Sequence, residues 1–222
     1  MGKFFLFPLL WWLTGSPFVA IVILLVILYA ADRRFIGLMP SVTRPFQLSR
    51  KLAQLKNQLR LSPHDTSLKL EIARTHIEKT QYREAAPLLE EILSKYSDSA
   101  DASFALGLCY LKTGRLEEGE RLMLQAVRLN PRVGYGDPYL RLGEAFADVD
   151  PDKAIGYLQQ FRAANSSSCE AYYRLGNIYS RLGRVAEARD AFREAEQIYR
   201  SLPRYKRRSE RKWALLARLR KK

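Results

Sequence analysis

Several things are scarce in this chain of 222 residues. It has two cysteines, Cys109 and Cys169, and no CxxC pair. That excludes a disulfide framework, a zinc ribbon and a redox dithiol, and leaves both thiols as small packing residues. There are also only two histidines, His64 and His76. No serine sits in a nucleophile elbow, no glycine-rich loop follows a strand, and no acidic cluster has metal-ligand spacing. An enzyme is not expected, nor is a cofactor or metal. Glu117, Glu118 and Glu120 read as a solvated helix face. Alternating strand patterns are missing as well.

Charge is missing from one place in particular. Residues 4–31, FFLFPLLWWLTGSPFVAIVILLVILYAA, hold no ionisable acid or base of the Asp, Glu, Lys, Arg or His type. A run longer than about 18 such residues reads as membrane-spanning. The expected arrangement is one helix from Leu10 to Ala31, with Trp11 and Trp12 at one interface and Tyr29 at the other. Thr14-Gly15-Ser16-Pro17 offers a break, so a separate short helix or a hairpin over 4–31 is the alternative. The stretch is too long for a signal-peptide core and reads as an uncleaved anchor. Arg33 and Arg34 follow it, and the positive-inside bias predicts a single-pass protein with its carboxyl side in the cytoplasm.

What is abundant is basic charge, with a net of +14. Its distribution matters more than its size. Residues 32–65 carry +5 and the last twenty carry +9, which leaves −1 for 66–202. The centre of the chain is thus neutral between two basic flanks.

That neutral centre repeats a phrase. It reads Leu106-Gly107-Leu108-Cys109-Tyr110 with Gly114, Gly119, Ala126 and Pro131, and again Leu175-Gly176-Asn177-Ile178-Tyr179 with Gly183, Ala188, Phe192 and Ala195. Between them stands Leu142-Gly143-Glu144-Ala145-Phe146, followed by Ala154, Leu158 and Phe161. A weaker copy has Ile72, Ala73 and His76, then Tyr82, Ala85, Leu89 and Ile92. The successive intervals Ala73 to Gly107, Gly107 to Gly143 and Gly143 to Gly176 are 34, 36 and 33 residues. A fixed period of this length means stacked helical units rather than one closed core. Apolar residues at three- and four-residue spacing, as in Leu175, Ile178, Tyr179 and Leu182, give the helices.

The phrase resembles the tetratricopeptide repeat family. The resemblance implies units of two antiparallel helices in which a small residue on the first lets the second approach closely. The expected fold is all-α: an N-terminal transmembrane helix, an α-solenoid of about four helix pairs, and a C-terminal capping helix. The expected organisation is an anchor at 1–31 and a basic linker with a degenerate half-repeat helix at 32–65. Units follow at 66–99, 100–135, 136–168 and 169–202, then a basic cap at 203–222.

The resemblance also implies a peptide-binding concave face on the first helices. Carried over by register, it comprises Leu70, Arg74 and Ile77; Phe104, Leu108, Leu111 and Lys112; Leu140 and Glu144; and Tyr173, Asn177 and Arg181. This surface is largely apolar, which suits an amphipathic helix better than a carboxylate tail. The tail places Trp213 on one helical face and Arg207, Arg211, Arg218 and Lys222 opposite, with Lys221 beside them. It reads as a cap over the last unit, with contact to anionic lipid as a second role. The expected function is a membrane-anchored adaptor for a protein or peptide partner. RNA binding through the basic tail and a structural subunit of a membrane complex are the alternatives. Nucleic acid ranks lower because the repeats themselves are neutral.

Overall fold

The structure is a computed structural model, and it describes residues 11–13, 15–35, 43–164 and 168–220. The described helices are α1 (Pro17–Phe35), α2 (Arg44–Leu61), α3 (Thr66–Glu78), α4 (Tyr82–Lys95), α5 (Ala100–Lys112) and α6 (Leu116–Leu129). A 3-10 turn at Val133–Gly136 precedes α7 (Asp137–Phe146) and α8 (Pro151–Ala163). The last three are α9 (Cys169–Arg181), α10 (Val185–Ser201) and α11 (Arg204–Arg220).

The N-terminal expectation is corrected. Gly15 takes a φ of +67°, a left-handed conformation that suits glycine, and the helical backbone is interrupted there. Helix α1 starts afresh at Pro17. Its uncharged part ends at Ala31, before Asp32 and Arg33. Those fifteen residues make about 22 Å of helix against a hydrocarbon core of about 30 Å. Among the described residues no helix is long and apolar enough to cross a membrane. The transmembrane helix of the expected fold and the single-pass localisation therefore do not hold. The expected interface places of Trp11, Trp12, Tyr29, Arg33 and Arg34 were set by that span. Trp12 lies before the break, and Arg33 and Arg34 fall in the last turn of α1.

From α3 onward the helices pair as α3/α4, α5/α6, α7/α8 and α9/α10. The local causes are visible in the sequence. Asp65, Ser99, Asp150 and Ser168 each accept a hydrogen bond from the backbone N–H three residues on, capping α3, α5, α8 and α9. Within each pair the partners approach closely. A Cβ on Gly107 would stand 3.1 Å from Gly119 O and Met123 Cγ, and one on Gly143 would stand 2.4 Å from Leu158 Cδ2. The family's small residues here make room for the facing helix.

The third pair departs from the pattern by carrying Phe161 where a small residue is usual. Its ring is fully buried and lies 5.6 Å, centroid to centroid, from Tyr172. Gly136 makes the space, since a Cβ there would stand 3.0 Å from Ala164 Cβ and 3.3 Å from Phe161 Cδ2.

The core is segmented along the stack. Leu52 and Leu55 of α2 pack with Ile72, covering the open face of the first pair. A second cluster joins Ala73, Leu89 and Ile92 to Leu106, Cys109 and Leu122, and a third runs from Met123 to Ala195 and Ala217. At the far end α11 packs on both α9 and α10. Ala214 and Ala217 are buried there, so α11 closes the stack as a terminal cap should.

Candidate partner-binding groove

The first helices α3, α5, α7 and α9 carry the predicted face, and the structure divides it. Between α3, α5 and the 133–136 turn lies a cleft of about 340 Å³. Ile77, Phe104, Leu108 and Val133 supply its apolar walls, with Arg74, Glu78 and Asp101 at its edge. Leu70 is half-buried and packs on the second core cluster. Leu111 is 7% exposed and fills the space beside Gly119. Leu140, at 1% exposure, belongs to the core.

The last unit's face is occupied from within the chain. The ring of Tyr173 sits 5.5 Å from that of Trp213 on α11 and 5.9 Å from that of Phe192. Asn177 has a buried Oδ1 that accepts no hydrogen bond among the described residues.

Charges along the face are paired between neighbouring units. Arg74 meets Asp101 at 3.0 Å, Lys112 meets Glu144 at 3.4 Å, and Arg181 pairs with Asp148. Arg141 also approaches Glu144, at 3.8 Å, while bonding Asp137 at 3.1 Å. Each pair is partly exposed, so its contribution to stability is small, about 0–1 kcal/mol. The effect on recognition is larger. Arg74, Lys112 and Arg181 already face a carboxylate, so the face offers apolar contact before it offers charge.

The 133–136 turn was not anticipated as part of the site. Gly134 lines the cleft against Phe104 and also a second, larger cleft of about 770 Å³ between α7, α9 and α11. Tyr135 beside it has a φ of +49° and is 76% exposed. A non-glycine residue held there is strained, and the Gly-Tyr-Gly sequence at 134–136 was the available signal. The larger cleft balances Arg141, Arg174 and Lys206 against Asp137, Glu170 and Glu210.

Burial pushes the thiols of Cys109 and Cys169 up to about 12, with the Glu210 carboxylate adding to the effect at Cys169. Among the described residues no group of three His, Cys, Asp or Glu side chains is placed to hold a metal ion. Of the basic tail residues, Arg207 donates to the carbonyl oxygens of Leu202 and Arg200, locking the start of α11. Arg211 and Arg218 are exposed, and Lys221 and Lys222 lie outside the described residues.

A family model for the tetratricopeptide repeat matches residues 70–133 and 140–203. The chain belongs to the tetratricopeptide repeat (TPR) family. It is 25% identical over 150 residues to the TPR repeat-containing protein YpiA of Bacillus subtilis (strain 168), a match that covers 67% of this chain and 35% of that protein. The chain thus spans about a third of that relative's length. Among solved structures it resembles TTC0263, a thermophilic TPR protein in Thermus thermophilus. The TM-score is 0.60 at 21% identity, over 79% of this chain and 94% of that one. It also resembles MamA, residues 41 to the end, from Desulfovibrio magneticus RS-1. There the TM-score is 0.56 at 19% identity, over 71% of this chain and 89% of that one. At these identities the structural likeness concerns the fold. TPR units are as a rule non-catalytic scaffolds for protein–protein interaction, and this chain has their architecture.

Proposed function

We propose that this TPR chain is an adaptor that holds a peptide or helix of a protein partner on its concave face, anchored in the cleft between α3 and α5. The observation that carries the reading is the cleft itself: Ile77, Phe104 and Leu108 form an apolar floor while the nearby Arg74 is already paired with Asp101. Such a floor takes side chains spaced along one face of an amphipathic helix. It has no unpaired cation at Arg74 to clamp a carboxylate. Partner contact therefore centres on the first two units, because Leu140 is buried and Tyr173 is covered by Trp213.

The test places a photo-crosslinking amino acid at Phe104 in the full chain, and at the exposed Glu117 on the outer helix α6 as a control. Crosslinks that form at 104 and are absent at 117, together with loss of the co-purifying partner from a separate Phe104→Glu chain, support the reading. Equal crosslinking at both positions, or full partner recovery with a folded Phe104→Glu variant, refutes it.

A further inference from the structure

A different surface carries basic charge well in excess of its acids. Helix α11 carries eight Lys/Arg, six of them Arg, against the single acid Glu210. Glu210 does not offset them from the outside, because its carboxylate turns to the array and accepts from the Glu170 N–H at 3.3 Å. Spacings of four, three and seven residues put Arg204, Arg208, Arg211 and Arg218 along one side of the helix, with Arg208 opposite buried Ala217 and Arg218 toward the edge that buried Ala214 marks. All four are exposed. Arg204, Arg208 and Arg218 make no ion pair with a carboxylate among the described residues. The groove cations differ, each being matched to an acid of the next unit.

Like charges at three- and four-residue spacing oppose the helix that carries them. The row extends about 21 Å, from Arg204 to Arg218, at 1.5 Å per residue. A capping helix needs only a polar outer face, and a balanced one would serve. Guanidinium groups are suited to phosphate, which their planar fork meets with two hydrogen bonds. Tyr205 stands one turn before Arg208 on the flank of the row and is 77% exposed. An aromatic ring open to solvent beside a cationic row is the pairing that single strands use, with phosphate on the charge and a base on the ring.

We propose that the outer face of α11 is a binding site for a single-stranded nucleic acid, with Arg204, Arg208, Arg211 and Arg218 on its phosphates and Tyr205 stacked on a base. The site lies at the end of the stack and away from the α3–α5 cleft, so it stands or falls independently of the adaptor reading.

The test is fluorescence anisotropy of a labelled oligouridylate with the full chain, across a salt series. Four phosphate contacts on a single strand give a loss of about fifty-fold in affinity between about 50 and 200 mM salt. Replacing Arg204, Arg208 and Arg218 together by Gln should weaken binding by about tenfold or more at low salt and flatten the salt dependence. The matching triple Lys variant should keep most of the salt dependence, which separates lost charge from lost folding. Tyr205→Ala should weaken binding while leaving the salt dependence intact. Binding by the triple Gln variant equal to the native chain's overturns the site. Displacement by polyglutamate as effective as by unlabelled oligouridylate, or a Tyr205→Ala variant as tight as the native chain, overturns its assignment to nucleic acid. Retention on phosphatidylserine vesicles without oligouridylate binding does so too.

Discussion

Gly176 on α9 lies directly against the ring of Phe192 on α10: a Cβ at 176 would stand 2.4 Å from Cε1, 2.6 Å from Cδ1 and 2.8 Å from Cζ. The ring cannot swing away, being 2% exposed and held against Tyr173. Gly176→Ala gains about 1 kcal/mol of helix propensity. It also forces an overpacked contact costing about 1–3 kcal/mol. The expected net is destabilisation, read as a lower urea midpoint. Adding Phe192→Leu to Gly176→Ala should recover part of the loss; no recovery would show that the close approach at 176 is not set by the ring.

Gly156 gives the opposite expectation. It sits exposed within α8, and nothing lies within 4 Å of where its Cβ would be. Only the propensity effect remains, so Gly156→Ala should stabilise the chain by about 0.5–1 kcal/mol. Thermal unfolding of the two alanine variants side by side checks the sign of each. A destabilised Gly156→Ala would mean that α8 is packed more tightly at that position than its surroundings indicate.

Gly176 was legible in the sequence as a packing glycine because its partners recur at fixed distance: Tyr179 one turn on, then Ala188 and Phe192 across the turn. The stack was legible from the same recurrence, and the neutral centre from the count of charges. The spanning helix was a misreading, because Gly15, whose left-handed backbone interrupts the helix, divides the uncharged run. Leu140 was misplaced for a related reason. It holds the same register position as Phe104, three residues before the packing glycine. Two residues in excess of the usual period, however, accompany a turn at 133–136 that packs against the start of α7, and Leu140 is enclosed. The pairing of Tyr173 with Trp213 was out of reach, since nothing in a repeat pattern states which side of the last unit a non-repeat helix covers.

The two thiols give a prediction that depends on pH. Both are free and fully buried, and burial raises each from an ordinary 9.0 to about 12. A group whose pKa is raised on folding stabilises the fold below its unfolded value and loses that contribution as pH climbs through its folded value. Stability from these two groups should therefore be complete below about pH 9 and decline between about 9 and 12. A Cys109→Ala, Cys169→Ala variant should show a shallower alkaline decline in urea midpoint. At about pH 8, where an exposed thiol is partly ionised, a disulfide reagent should find neither cysteine until urea is added. Titration of one thiol in the folded chain would refute the burial of that residue.

Glu120 ties the second unit to the third, where the repeat period is irregular. Its carboxylate accepts from Lys153 Nζ at 2.6 Å and from the hydroxyl of Tyr157, and its side chain is only 15% exposed. Lys153 also lies 4.3 Å from the centre of the Phe146 ring. Burial, with the Glu120 carboxylate as acceptor, raises the Tyr157 hydroxyl above its ordinary 10.0 and keeps it a donor at neutral pH. Glu120→Gln keeps an acceptor for Tyr157 but removes the charge facing Lys153. Glu120→Ala removes both and leaves two part-buried donors without an acceptor, at a cost of about 1–3 kcal/mol. Alanine should thus be clearly worse than glutamine in urea unfolding, and the difference should shrink in a Tyr157→Phe background, which leaves only Lys153 to be satisfied. Because neighbouring units stabilise one another through their interfaces, the loss should also loosen α9 to α11 in hydrogen exchange. Equal costs for the two substitutions would mean that water satisfies Tyr157 as well as Glu120 does, and that this junction is held by packing alone.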